Sequence, residues 1–334
     1  MLLVSASSSP ALICATAKEA LRRGRQRVSP SFASRILAVD RLRLMTWILL
    51  LPAVLLAAGW LGLRWLRREL TPPQLSHPEP SSTDPLLQWV TIPATNGKQL
   101  SAQWLPAGEG GPRMGMAILM HGWGGNGSQL RTAAVALCGQ GWSVLLPDAR
   151  SHGRSDGDTF SSLPRFAEDL DACLDWLQRH QLHPTPDQGQ VPVVLLGHSL
   201  GAAASLLCAS RRSDVSAVVS VSAFAHPEQV MRRWLAEYLI PFWPIGWLVN
   251  RYIEGVIGHR FDDIAPVRTI VRVKAPVLLV HGREDDVVPL SCAEQLKAAA
   301  RHADLLVVPG RHDSFVDETE LNRQVLAWLA GLPA

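Results

Sequence analysis

Gly197-His198-Ser199-Leu200-Gly201 stands between two apolar runs of different character. Before it, Val191-Pro192-Val193-Val194-Leu195-Leu196 is short, rich in valine and leucine, and reads as a buried strand. After it, Leu200-Gly201-Ala202-Ala203-Ala204-Ser205-Leu206-Leu207-Cys208 reads as a helix. A serine held between a strand end and a helix start sits on a very sharp turn. Gly197 and Gly201 lack a Cβ, so strand and helix can pass close to each other there. The turn pushes the Ser199 hydroxyl outward, and the start of the helix offers unpaired N–H groups beside it. This is the context of a nucleophile elbow, with Ser199 the candidate nucleophile. The alternative is a chance Gly-x-Ser-x-Gly in an ordinary turn. The rest of the chain decides, by whether it supplies a base, a carboxylate and an oxyanion hole.

Three further strand ends carry candidate parts. Residues 116–120 read as a strand, followed by His121-Gly122-Trp123-Gly124-Gly125-Asn126. An oxyanion hole needs two N–H groups fixed about 3 Å from a developing alkoxide. The Leu200 amide is one candidate, and the Trp123 amide in this glycine-rich loop is the second. Residues 276–280 read as a strand, followed by His281-Gly282-Arg283-Glu284-Asp285-Asp286-Val287-Val288-Pro289. Residues 304–308 read as the final strand, followed by Pro309-Gly310-Arg311-His312-Asp313. A carboxylate and a histidine thus each follow a strand, in the chain order Ser199, Asp285, His312. Serine is a weak nucleophile until an imidazole takes its proton, and a carboxylate fixes that imidazole's tautomer and stabilises its cation.

The remaining segments alternate in the same way. Residues 87–92 and 99–104 read as an N-terminal hairpin, 143–146 and 215–221 as strands, and 130–138, 160–177 and 293–300 as helices. In the closing helix Leu321, Val325, Trp328 and Leu329 fall on one face. Such alternation predicts the α/β class: a mostly parallel sheet with helices on both faces, its chemistry at the carboxyl ends of the strands.

The N-terminal end is different. Residues 1–43 are rich in Ser, Ala and Arg without sustained apolar periodicity, and read as a basic, poorly ordered tail. Residues 44–63 then run without a charge, with Trp47 and Trp60 towards the two ends. At 1.5 Å per residue this spans about 30 Å, so residues 44–64 are expected to form one transmembrane helix, an uncleaved membrane anchor. Read from Met1, the basic residues place the large domain outside; read from Met45, the positive-inside rule reverses and the domain faces the cytoplasm. Residues 65–85 read as a Pro/Ser linker, and residues 86–334 as the globular domain.

The net charge of +3 is uneven. Residues 1–68 carry 11 Lys and Arg against Glu19 and Asp40, net +9, which leaves the remainder at net −6. The folded part is therefore not a nucleic-acid-binding surface. The five cysteines are scattered without a Cys-x-x-Cys pair, which supports neither a disulfide framework nor a zinc site. No metal cluster, phosphate loop or flavin motif is present, so no cofactor is expected.

From about residue 86 to the C-terminus the chain resembles the α/β-hydrolase superfamily, specifically bacterial serine hydrolases of the esterase, lysophospholipase and thioesterase-like groups. The resemblance rests on His121-Gly122, Asp148-Ala149-Arg150-Ser151-His152-Gly153-Arg154-Ser155, Gly197 to Gly201, the segment from His281 to Pro289, and Gly310 to His312. It implies Ser199 as nucleophile, His312 as general base and acid, and Asp285 as the orienting carboxylate, with spacing to Val288-Pro289 favouring Asp285 over Asp286. It also implies structural roles for His121, His152 and His198, and makes residues 224–269, which lack strand character, a helical cap.

Within that insertion, Trp234, Tyr238, Phe242, Trp243 and Trp247 crowd one short segment and are the candidate wall of an apolar acyl pocket. Packing against the core or the bilayer is their other reading. The combined expectation is a membrane-anchored serine hydrolase that cleaves small-molecule carboxylic esters with an apolar acyl group. A thioesterase, an acyltransferase or an aminopeptidase-like amidase would use the same three residues. A non-catalytic binding relative would ordinarily lack the serine or the histidine.

Overall fold

The computed structural model describes residues 30–69, 71–78, 87–108, 114–180 and 192–332, divided between an N-terminal unit ending at Glu69 and a larger unit beginning at Leu70. The N-terminal unit is one helix, α1 (Pro30–Glu69). It starts earlier and ends later than the apolar run alone predicts. Residues 30–43, expected as irregular tail, continue the helix, because Pro30 suits a first helical position and neither Gly nor Pro follows until Pro52. The rest of the expected tail lies outside the described residues. The segment Leu37–Glu69 is long and apolar enough to cross a membrane.

The larger unit is built on one eight-stranded sheet: β1 (Gln88–Pro93), β2 (Gln99–Leu105), β3 (Gly115–Met120), β4 (Trp142–Pro147), β5 (Val193–His198), β6 (Ala217–Val221), β7 (Val277–Gly282) and β8 (Ala303–Val308). Their spatial order is β1-β2-β4-β3-β5-β6-β7-β8, antiparallel at β1-β2-β4 and parallel from β4 through β8. The chain steps one way from β3 to β4, then crosses over β3 to β5 and continues the other way through β8. The carboxyl ends of β3 and β5 therefore flank the crevice where the direction of winding reverses, the usual place for a site in such a sheet.

The parallel strands β3 to β7 are apolar on both faces because helices cover both, and the edge strand β8 is half-buried. Met116, Ile118, Leu195, Val218 and Leu279 point to one core, with Phe166, Leu170 and Leu174 of a long helix, α3 (Leu163–Arg179), and the small residues of α4 (Leu200–Ala209). Ala117, Leu119, Leu196, Val219 and Leu278 point to the other. That core is closed by α2 (Arg131–Cys138) and by Leu321, Val325 and Leu329 of the C-terminal helix, residues Glu318–Ala330. The insertion after β6 is helical: α5 (Pro227–Glu237), a wide turn at Phe242–Gly246, α6 (Trp247–Ile257) and two single-turn helices.

The proline-rich stretch after α1 departs from the linker reading. Residues 71–78 lie along the domain, because an extended backbone without internal hydrogen bonds presents carbonyls that find donors elsewhere. The Asn126 side-chain amide donates to the Leu75 and Ser76 carbonyls at 3.1 and 3.4 Å. Residues 79–86 lie outside the described residues.

Candidate active site

Ser199 occupies the turn between β5 and α4 with φ 53 and ψ −114, a strained backbone for a residue with a Cβ. Two close approaches enforce it. A Cβ on Gly197 would strike the Gly201 carbonyl, and one on Gly201 would strike the carbonyls of Met120 and His121. The Ser199 N–H donates to the Val221 carbonyl at 2.8 Å, tying the turn to β6.

Three side chains far apart in sequence meet at this turn. His312 Nε2 lies 2.9 Å from Ser199 Oγ, and His312 Nδ1 lies 2.8 Å from Asp285 Oδ2. A carboxylate only accepts, so Nδ1 carries the hydrogen and Nε2 is left as the acceptor facing the serine. Asp285 is held in turn: its Oδ1 accepts the N–H groups of Val287 at 3.0 Å and Val288 at 2.7 Å. Burial alone would raise the Asp285 carboxyl, but the bond from His312 and the Val288 N–H outweigh it and hold the group below the usual carboxylate range. Asp286 is different. Its side chain is 63% exposed, with Arg311 at 3.5 Å.

The loops carrying these residues are pinned to each other. The Glu284 N–H donates to the Gly310 carbonyl at 3.0 Å, and the Glu284 carboxylate accepts the Gly310 N–H at 2.7 Å. His281 Nε2 donates to the Val288 carbonyl at 2.8 Å and stands 3.4 Å from Asp285 Oδ2. Neither Glu284 nor His281 is marked as a site residue by the sequence pattern. Their signal in the sequence is position alone: His281 stands near the end of β7 and Glu284 directly precedes Asp285 in the loop after it.

On the other side, a Cβ on Gly122 would stand 3.2 Å from Ser199 Cβ, so the loop after β3 passes directly beside the serine. The Trp123 amide belongs to this loop, and the Leu200 N–H, in the first turn of α4, has no partner within the helix. The histidines read as structural bond to backbone groups, two of them on other segments. His121 donates from Nδ1 to the Gly122 carbonyl at 2.7 Å and accepts the Ala149 N–H at 3.0 Å. Burial, then neighbouring His152, push the His121 pKa down to about 4. His152 Nδ1 donates to the Arg150 carbonyl at 3.0 Å. His198 Nε2 donates to the His312 carbonyl at 2.8 Å, and burial lowers its pKa. His198, His312 and Asp313 bring donor atoms within 4.8 Å of one another, but both His312 nitrogens and His198 Nε2 are already hydrogen-bonded.

The cap aromatics do not gather into one wall. Tyr238, Trp243 and Trp247 are exposed, Trp243 by 70%. Trp243 meets Trp247 at a tilt of 56°, Trp234 meets Tyr238 at 60°, and Arg232 covers the Phe242 ring. A cavity of about 270 Å3 lies instead between α5 and the Asp285 loop. Phe224, Val230, Val287, Val288 and Pro289 give it apolar walls, with Arg232 and Arg233 also lining it. None of the five aromatics lines it.

Comparison with known proteins agrees with this architecture. A family profile described as serine aminopeptidase, S33, matches residues 111–256. An uncharacterised protein of Mycobacterium tuberculosis is 33% identical over 235 residues, covering 70% of this chain and 74% of that relative. The uncharacterised protein YqkD of Bacillus subtilis is 31% identical over 159 residues, 47% of this chain, and the match spans only half of YqkD's length. Among solved structures, an esterase of Pyrococcus furiosus superposes with a TM-score of 0.61 at 19% identity, over 79% of this chain and 97% of its own. With that fold and these relatives, the chain belongs to the α/β-hydrolase superfamily and is a serine hydrolase.

Proposed function

We propose that this enzyme hydrolyses carboxylic esters with an apolar acyl group, through an acyl-enzyme formed on Ser199. The observation that carries the reading is the hydrogen-bonded chain from Ser199 through His312 to Asp285. Ser199 Oγ attacks the ester carbonyl carbon as His312 Nε2 takes its proton. The carbonyl oxygen becomes an alkoxide facing the amides of Trp123 and Leu200. On collapse, His312 returns the proton to the departing alkoxide, and the acyl group stays on Ser199. Water repeats the sequence and releases the acid, while Asp285 stays ionised and stabilises the imidazolium.

The cavity between α5 and the Asp285 loop supports the apolar acyl group, since it shares Val287 and Val288 with the segment that holds Asp285. Its charged lining residues are both arginines, which would repel the α-ammonium group an aminopeptidase must seat. Residues 44–64 of α1 act as a single membrane anchor for the hydrolase domain, residues 86–334 with the cap at 224–269 and with residues 71–78 packed along it.

The test is kcat/KM for p-nitrophenyl esters of increasing chain length on the full-length protein. Each methylene buried is worth about 0.8 kcal/mol, nearly fourfold, so specificity rises with length and levels when the cavity is full. Val230→Trp, which fills the cavity, brings the plateau to shorter chains, while Trp243→Ala leaves the profile unchanged. A profile falling steadily from the acetyl ester would contradict the apolar-acyl reading, and a profile shifted by Trp243→Ala alone would return the pocket to the cap aromatics.

A further inference from the structure

The loop that brings Trp123 beside Ser199 is His121-Gly122-Trp123-Gly124-Gly125-Asn126-Gly127, with four glycines in seven residues. Such a backbone is costly to fix in one conformation, yet an oxyanion donor must be fixed before the charge develops. Much of what holds this loop comes from residues 73–77, read from sequence as linker. The Pro73 ring packs on Gly124, where a Cβ would meet it at 3.3 Å and where φ is +71. Asn126 donates to the carbonyls of Leu75 and Ser76. The segment is then locked to the domain at His77.

His77 Nε2 lies 2.8 and 3.0 Å from the two oxygens of Asp148, a fully buried carboxylate at the end of β4. The same carboxylate accepts the N–H of Gly127 at 2.8 Å, at the far end of the glycine loop, and that of Arg154 at 2.8 Å. The tautomer of His77 follows from its neighbours. Arg131 can only donate, so the Gln103 oxygen faces it at 3.1 Å and the Gln103 NH2 faces His77 Nδ1 at 2.8 Å. Nδ1 therefore accepts, and the Nε2 hydrogen points at Asp148. One buried carboxylate thus joins the strap, the glycine loop and the segment after β4.

We propose that residues 73–77 position the second oxyanion donor, with His77 a positioning residue that acts through Asp148 and Asn126. The proposal rests on the assignment of the Trp123 N–H to the oxyanion hole. A chain cut at residue 86, the start expected for the hydrolase domain, would lose these contacts.

The test uses full-length His77→Ala, His77→Gln and Pro73→Gly, with active sites counted by fluorophosphonate titration. Substrate turnover and inhibition by a trifluoromethyl ketone, whose adduct places an oxyanion at the same donors, are then measured per titrated site. His77→Ala should lower kcat per site about tenfold or more, short of the roughly 10²- to 10³-fold loss of a whole donor, with KM little changed. Ketone binding should weaken in step, and His77→Gln, which keeps an N–H within reach of Asp148, should recover most of the loss. Pro73→Gly leaves the buried carboxylate untouched and should show the same pattern more weakly. Fewer titratable sites with wild-type kcat and ketone affinity per site, in both His77→Ala and Pro73→Gly, would overturn the proposal. Should Ser199→Ala stay active, the underlying mechanism fails whatever the strap does.

Discussion

Asp285→Asn changes one atom of the site, and the structure dictates where that atom goes. Oδ1 of Asp285 accepts two backbone N–H groups, from Val287 and Val288. An asparagine must keep its carbonyl oxygen there, because turning the NH2 toward two donors would lose both bonds. The NH2 therefore takes the place of Oδ2, 2.8 Å from His312 Nδ1. It donates to Nδ1, which moves the imidazole hydrogen to Nε2, and Nε2 then faces Ser199 Oγ with a hydrogen and no lone pair. The base is lost while the fold is kept. Wrong-tautomer substitutions of this kind lower kcat by about 10⁴, or roughly 5.5 kcal/mol of transition-state stabilisation. Asp286→Asn, at an exposed side chain, should leave kcat within about twofold. The assay is p-nitrophenyl ester turnover per protein correctly folded by near-ultraviolet circular dichroism. An Asp285→Asn enzyme within tenfold of wild type, or an equal loss from Asp286→Asn, would refute this reasoning.

Two further outcomes follow from the anchor and from the buried histidines. The full-length protein should stay in the membrane fraction through carbonate and high-salt washes, and release by salt alone would remove the anchor from the account. His121 is neutral in the fold with its pKa near 4, so below about pH 6.5 the unfolded chain binds a proton the folded chain does not. Stability should be full above that pH and fall toward pH 4, on the order of 3 kcal/mol from this group, with His152 and His198 adding in the same direction. A Tm that is flat or rises between pH 7 and pH 5 would contradict it.

Much of the fold could be read from the chain because its signals are local. The parallel strands β3 to β7 are short apolar runs buried on both faces, β8 is a half-buried edge run, and Ser199, Asp285 and His312 each stand just after a strand. The sheet's winding then brings together residues that lie 113 and 27 positions apart. What stayed hidden depends on non-local partners. Residues 71–78 look like a free linker because proline suppresses helix and sheet, yet His77 meets Asp148 71 positions away. The cap aromatics look like a pocket by composition, but Pro241 and Pro244 interrupt the helical stripe and leave Trp243 facing outward. The cavity draws its walls from three separate segments, around Phe224, α5 and Val287 to Gln295, and no single stretch signals it. Residues 30–43 are helical without an apolar period, so no pattern in that stretch signals the helix.

The central claim is that Ser199 forms the acyl-enzyme, and peptide mapping after fluorophosphonate labelling tests it most directly. The account predicts a single adduct on the peptide containing Ser199, no labelling in Ser199→Ala, and turnover of that variant lower by about 10⁴ or more. Labelling of Ser199→Ala at the wild-type rate, or an adduct mapped to another residue, would contradict it.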